Sequence, residues 1–126
     1  MKRYSVIGRL YNATRYSLNG LICAFRQEQA FEYETVVLVV LLAVVLWARM
    51  SFLSSLAVIG AWLLVMALEL VNGAVERAFN LISRQIDPEI KAGKDMLSAA
   101  VFLAIAFNVA LWIAFLLIRV PFFSVY

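Results

Sequence analysis

The chain has no histidine and a single cysteine, Cys23, among its 126 residues. The first absence removes a histidine general base and argues against a zinc site, whose usual imidazole ligands are missing. The second rules out an intrachain disulfide and leaves no thiol cluster for a metal. Charge is scarce too: 15% of residues are charged and 65% are hydrophobic. A mean hydropathy of +0.92 then marks an integral membrane protein. At this length one domain and a few spans are available, too few helices to enclose a sizeable polar site alone, so oligomerisation is expected. An apolar leader is also lacking. Lys2 and Arg3 precede a segment broken by Arg9, Asn12, Arg15 and Asn19, so the start does not read as a signal peptide and is expected to survive in the mature chain.

What the chain does have is three apolar runs. The first, Thr35 to Ala48 or Met50, is shorter than the roughly 20 residues a span needs. Tyr33 and Glu34 extend it into one interface while Trp47 and Arg49 anchor the other end, giving a span of about 33–50. The second, 52–75, follows after so short a link that the two must form an antiparallel hairpin. The third, about 96–118, carries Trp112 near one end, with Arg119 just beyond and Pro121 as a helix stop. An all-α membrane protein with three transmembrane helices is predicted.

Basic residues orient it. Lys2, Arg3, Arg9, Arg15 and Arg26 precede the first span, and Arg77, Arg84, Lys91 and Lys94 lie between the second and third. Only Arg49 and Arg119 fall opposite, so the N-terminus is expected in the cytoplasm and the C-terminus in the periplasm. Acids are absent from the outer face altogether. Glu28, Glu32, Glu34, Glu69, Glu76, Asp87, Glu89 and Asp95 all gather at the cytoplasmic side. Such a distribution suits chemistry at that surface, although loops are polar in any case.

Residues 5–26 form a different kind of helix. Val6, Ile7, Leu10, Ala13, Leu18, Leu21, Ile22 and Phe25 share one arc, and Ser5, Arg9, Asn12, Arg15, Tyr16, Asn19 and Arg26 the other. This division predicts an amphipathic helix lying in the interface plane. It is either an anchor alone or a surface from which Arg9 and Tyr16 hold an anion. Gly8 and Gly20 weaken it modestly and are candidate bend points.

Glu69, Asn72 and Glu76 are the most informative residues, because they interrupt the end of a run long enough to cross a bilayer. A helix turns by about 100° per residue, so the three share one stripe. That stripe must face protein or water, since a charged side chain facing lipid costs about 3 kcal/mol even on lenient insertion scales. Lys94 and Asp95, at the start of the third span, emerge on the same surface. Taken alone, that pair reads as a snorkelling lysine and an acid favoured by the helix dipole. Together with Glu28 and Glu34 the inventory is carboxylates, an amide, a lysine and arginines. Phosphoryl transfer from a nucleotide needs these: carboxylates for Mg²⁺, cations for phosphate charge and a base beside the attacking hydroxyl. Two other readings stay open. A proton-linked transporter also uses buried Glu and Asn, though commonly near the midplane and with repeats or broken helices. Alternatively the three groups only bond neighbouring helices. Soluble-kinase signatures are missing, since Gly93-Lys94 has no earlier glycine at the Walker spacing and no His-Arg-Asp loop exists.

Glu69-Leu-Val-Asn72-Gly-Ala-Val-Glu76, followed by Lys94-Asp95-Met-Leu-Ser98-Ala-Ala-Val101, resembles the small integral-membrane diacylglycerol kinase family of bacteria. Arg9, Ala13, Tyr16-Ser17, Gly20-Leu21 and Glu28-Gln-Ala-Phe31 match it too, so the likeness runs from about Arg9 to about Leu117. The resemblance implies a homotrimer with active sites shared between neighbouring chains. It implies Glu69 as the general base on the lipid hydroxyl, which attacks the γ-phosphorus of ATP directly, with Asn72 orienting the site. Glu28 and Glu76 would hold Mg²⁺ and the nucleotide, Lys94 and Asp95 would contact the nucleotide, and Arg9 and Tyr16 would close over its phosphates. Glu69 is the deepest of the acids, as suits a base, while Glu76 lies nearer water and suits a metal. Diacylglycerol would enter sideways past the surface helix, against Arg9, Ala13, Ser17, Ala30, Phe31, Glu34, Glu69 and Ser98. No nucleic-acid partner is expected.

The sequence departs from the family pattern at Asn80, where members commonly carry Asp, and at Leu81, in place of a basic residue. In the segment from Arg84 to Lys91, expected to offer backbone contacts to the adenine, Asp87-Pro88 stands where members often place histidine. The Lys-Asp-Met-Leu-Ser-Ala-Ala-Val motif looks more like the diacylglycerol branch than the undecaprenol kinase branch, so diacylglycerol phosphorylation at the bacterial inner membrane is expected. Elsewhere the expectations are structural. Asn108 should make an interhelical hydrogen bond, Ala99, Ala100, Ala104 and Ala106 should permit close packing, and Cys23 is an ordinary small residue. Asn12-Ala-Thr14 is a glycosylation sequon on the wrong side of the membrane.

Overall fold

The computed structural model describes residues 5–82 and 87–119, and among them the chain is wholly helical. Lys2, Arg3, Arg84 and the expected helix stop Pro121 lie outside the described residues. Four helices follow one another: α1 (Val6–Gln27), α2 (Gln29–Trp47), α3 (Phe52–Ile82) and α4 (Pro88–Arg119). Of these, α2, α3 and α4 are long and apolar enough to cross a membrane.

The Ser5 hydroxyl starts α1 by accepting from the Gly8 N–H at 3.2 Å. The helix then runs unbroken through Gly8 and Gly20. The turn comes instead at Glu28, the one residue between α1 and α2, with extended backbone angles of −114° and 107°. Its N–H still bonds Ala24 O at 2.8 Å, and its carbonyl accepts from Glu32 N at 3.1 Å. A single residue therefore serves both helix ends, which fixes Glu28 at a corner.

The hairpin between α2 and α3 is equally tight. Arg49 N–H bonds Leu46 O and Met50 N–H bonds Val45 O, both at 3.2 Å, the paired bonds of a Schellman stop. Arg49 adopts the left-handed φ of 48° that this stop requires and that glycine would adopt more easily. Ser51 then caps α3, its hydroxyl accepting from Ser54 N–H at 3.2 Å.

Several boundaries move from where the sequence places them: α2 runs Gln29–Trp47 where about 33–50 is expected, because the turn at Glu28 starts the helix earlier and the stop at Arg49 ends it sooner. α3 continues to Ile82, seven residues beyond Val75, because backbone hydrogen bonds do not need apolar side chains and nothing in Glu76 to Leu81 breaks a helix. At 31 residues it is about 46 Å long, well over a hydrocarbon core of about 30 Å. α4 begins at Pro88, eight residues before Met96. Asp87 is its cap, with Oδ1 accepting from Glu89 N–H at 2.8 Å, and Pro88 occupies the first helical position, where a missing N–H costs nothing. Asp87-Pro88 is thus a helix start, and Lys94 and Asp95 sit in its second turn, not at its N-terminus.

α3 lies between its neighbours, packing on α2 along one side and on α4 along the other. Val65 is fully buried, with Val58, Ala61 and Met66 near it. Asn108 bridges α4 to α3 as expected: its Nδ2 donates to Val58 O at 3.0 Å, wholly inside. Ala104, on the same side of α4, is buried as well.

Candidate active site

The end of α3 away from the hairpin carries two polar clusters, one on each flank. A helical stripe holds Glu69 and Glu76; Gly73 and Arg77 lie to one side of it and face α1 and α2. On that side opens a pocket of about 510 Å³, with Glu28, Glu69 and Arg77 as its charged groups and Leu21, Phe31 and Leu70 among its apolar walls. Ser17 joins the lining from α1. A mostly apolar cleft with a few convergent polar groups suits a ligand that is itself amphipathic.

Glu28 enters this pocket because the chain turns on it. Its side chain crosses Gly73 so closely that a Cβ there would lie 3.4 Å from the Glu28 carboxyl carbon. Arg77 then grips it, Nη2 and Nε donating to the same Oε1 at 2.6 and 3.1 Å. Beneath the pocket, Phe31 is buried with Ala24 and Met66, and Leu38, Trp62 and Leu70 pack around them. Glu34, one turn further along α2, is also buried, its Oε2 without a hydrogen-bond partner. Its backbone carbonyl accepts from Trp62 Nε1 at 3.0 Å, which ties α2 to α3 beside the site.

The second cluster joins α3 to α4. Lys94 Nζ donates to Asn80 Oδ1 at 2.9 Å and lies 3.5 Å from Glu76 Oε1. Asn80 thus supplies a neutral acceptor to the lysine in the position where an Asp would add charge. Lys91 pairs with Asp95 at 2.7 Å along α4, both exposed. Gly93 leaves little space here, since a Cβ would meet the Phe79 ring at 3.0 Å.

Glu69 stands at the junction. Asn72 lies within hydrogen-bonding reach of its carboxyl, and the charges of Glu28, Glu34 and Glu76 all act on it. Of the residues singled out in the sequence, Glu69, Glu28, Phe31 and Ser17 meet at the pocket. Glu76 and Lys94 meet in the neighbouring cluster, while Asp95 is exposed and pairs with Lys91 along α4. Arg9, Ala13 and Tyr16 on α1, Ala30 on α2 and Ser98 on α4 are exposed and are not among the pocket's lining. The sequence reading counted Arg77 only toward orientation. Its signal was available: it lies one turn from Gly73 and two from Glu69, on the same side of α3.

Among the described residues no group of three or more His, Cys, Asp or Glu side chains gathers as a metal cage. The donor chemistry nevertheless fits Mg²⁺, which takes one or two carboxylates and completes its shell with water and substrate phosphates. Glu28 and Glu76 each already face a cation, Arg77 and Lys94 respectively, so both positions tolerate positive charge.

The model of the prokaryotic diacylglycerol kinase family matches residues 15–116. The chain belongs to that family. It is 38% identical over 109 residues to a diacylglycerol kinase of Pseudomonas aeruginosa, covering 86% of this chain and 89% of the relative. A diacylglycerol kinase of Haemophilus influenzae is 34% identical over 112 residues, covering 89% and 95%. One from Escherichia coli strain K12 is 32% identical over 104 residues, covering 82% and 85%. The match includes both polar clusters, and membership makes the chain an enzyme of the lipid kinase class.

Proposed function

We propose that this chain transfers the γ-phosphoryl group of ATP to the free hydroxyl of diacylglycerol, giving phosphatidic acid at the cytoplasmic face of the bacterial inner membrane. The observation that carries the reading is Glu69, a carboxylate set among apolar walls at a pocket between α1, α2 and α3, in a chain of this family. The pocket's walls suit acyl-linked carbon while its acids suit a hydroxyl.

Glu69 takes the proton from the lipid hydroxyl as that oxygen attacks phosphorus in line, and the leaving group is ADP. Asn72 holds the Glu69 carboxyl in register. Glu28 and Glu76 would hold Mg²⁺, which supplies charge neutralisation on the phosphates. Lys94 and Asp95 contact the nucleotide, and Arg9 and Tyr16 reach its phosphates from the surface helix. Arg9, Ala13, Ser17, Ala30, Phe31, Glu34 and Ser98 border the lipid. Since one chain offers few helices to enclose such a site, a homotrimer with sites completed by a neighbour fits the reading, with the N-terminus cytoplasmic and the C-terminus periplasmic.

The test is transfer of labelled phosphate from MgATP to diacylglycerol by purified protein in mixed micelles. Phosphatidic acid should form, and Glu69→Gln should lower turnover by about 10²–10⁴-fold while the helical circular dichroism and thermal unfolding stay as in the wild type. Full turnover in that variant removes Glu69 as the base. Competition between diacylglycerol and undecaprenol then sets the lipid class, and equal kcat/KM for both would overturn the preference for diacylglycerol.

A further inference from the structure

Arg77 reaches from α3 across the pocket to the corner between α1 and α2. Both of its bonds to Glu28 fall on one oxygen, Oε1, and a third donor, Nη1, lies 3.4 Å from Cys23 Sγ. Gly73 lies beside the Glu28 side chain, and a Cβ there would be in ordinary contact with its carboxyl group at 3.4 Å. The pair is neither buried nor fully solvated: its side chains are 44% and 31% exposed. A buried pair would be locked by the cost of stranding one charge, whereas a pair at this depth is weak and open to exchange.

Glu28 is also one of the two carboxylates suited to a divalent cation. It cannot serve a guanidinium and a cation at contact distance on the same oxygen without strong repulsion between the two positive charges. We propose that Arg77 is the resident counter-ion of Glu28, suppressing divalent-cation binding to the nucleotide-free protein, and that it passes to the nucleotide phosphates when Glu28 is taken by the cation. The inference rests on the kinase reading above.

The guanidinium is suited to such an exchange, because its planar fork matches carboxylate and phosphate oxygens alike. A lysine grips a carboxylate from a single point and would give up Glu28 more readily. Lys94 illustrates the contrast: it stands 3.5 Å from Glu76 and donates to Asn80, so Glu76 is the less encumbered acid. Arg77 therefore sets the order of events. Cation and phosphate arrive together at Glu28, which the protein does not fill with metal beforehand.

The experiment is a titration of Mn²⁺ alone into purified protein in detergent micelles, with free Mn²⁺ read by electron paramagnetic resonance and no nucleotide present. Arg77→Gln should bind Mn²⁺ roughly twofold to fivefold more tightly than the wild type, the range expected for removing a partly exposed competing ion pair. Arg77→Lys should gain less, and adding Glu28→Gln to Arg77→Gln should abolish the gain. Equal Mn²⁺ affinity in wild type and Arg77→Gln, with diacylglycerol phosphorylation intact in the wild type, overturns the role of Arg77 and leaves the kinase reading standing. Tighter Mn²⁺ binding in Arg77→Gln without any lipid phosphorylation by the wild type upholds Arg77 as the counter-ion that suppresses cation binding at Glu28, and removes the kinase reading together with the transfer to nucleotide phosphates. Should Arg77→Gln fail to fold, Arg77→Lys decides: affinity equal to the wild type overturns the proposal.

Discussion

The two ends of α3 are held by opposite means. Toward the hairpin, α3 meets α4 through Val58, Ala61 and Ala104, with one polar link, the Asn108 amide on the Val58 carbonyl, buried to 3% exposure. At the far end the helices are joined by Arg77 to Glu28 and by Lys94 to Glu76 and Asn80, with Lys91 paired to Asp95 along α4, all in partial or full contact with solvent. Interactions of the first kind are costly to open, because the Asn108 amide left without its acceptor inside apolar surroundings has no substitute partner, while the Val58 carbonyl keeps its helical bond. Those of the second kind contribute little stability and exchange readily with ions and water. A site that must admit a charged nucleotide and release it gains from being built of the second kind, on a scaffold held by the first.

The comparison breaks most sharply at Glu69, which belongs to the polar end by chemistry but touches the apolar walls. Its replacement by Gln should remove activity by the orders of magnitude given above and leave unfolding in place; a large fall in stability would instead make Glu69 part of the scaffold. Gly93→Ala should come next. A Cβ there would meet two carbons of the half-buried Phe79 ring at 3.0 and 3.1 Å, so that the ring or α4 must shift by a few tenths of an ångström. Overpacking of this kind costs about 1–3 kcal/mol, read as a lower unfolding midpoint in detergent. Because Lys94 follows directly, kcat/KM for ATP should fall as well. An unchanged midpoint would show that the polar end yields even to a steric push.

The architecture was legible in the sequence to the extent that apolar runs and caps report it. Ser51 and the short link before Phe52 announced the hairpin, and the amphipathic pattern from Val6 announced α1. The ends of the longer helices were not, because the loss of apolar side chains at Glu76 does not end a helix and α3 continues through Glu76, Arg77 and Asn80. The start of α4 did carry a signal in Asp87-Pro88, a cap followed by the one residue that favours the first helical position. The stripe of Glu69, Asn72 and Glu76 was readable from spacing alone. Its partition was not, since Arg77 and Glu28 are separated by 49 positions and meet only because Glu28 is a corner. The burial of Glu34 against α3 likewise depends on which face of α2 the tertiary packing selects, and α2 is too uniformly apolar to announce a face.

Asn108→Ala probes the apolar end with a smaller effect. It removes a buried interhelical hydrogen bond, worth about 0.6 kcal/mol on average between membrane helices and up to about 1.7. Lying at the hairpin end, the change should lower the unfolding midpoint and leave KM for ATP unaltered. A change in KM with no change in stability would show that the two ends communicate through α4.

Lys91→Ala should do least of all. Lys91 and Asp95 are one turn apart on the same helix, with side chains 69% and 65% exposed, so the pair is an exposed i, i+4 contact that salt screens. The unfolding midpoint should not move measurably. Asp95, however, is proposed to contact the nucleotide, and Lys91 is the cation that now occupies it. Releasing Asp95 should therefore shift KM for ATP at low ionic strength and lose that shift in high salt, while kcat holds. If stability falls instead and KM is indifferent to salt, the Lys91–Asp95 pair belongs to the scaffold, and the division between a fixed end and an exchangeable end of the α3–α4 pair would have to be redrawn above it.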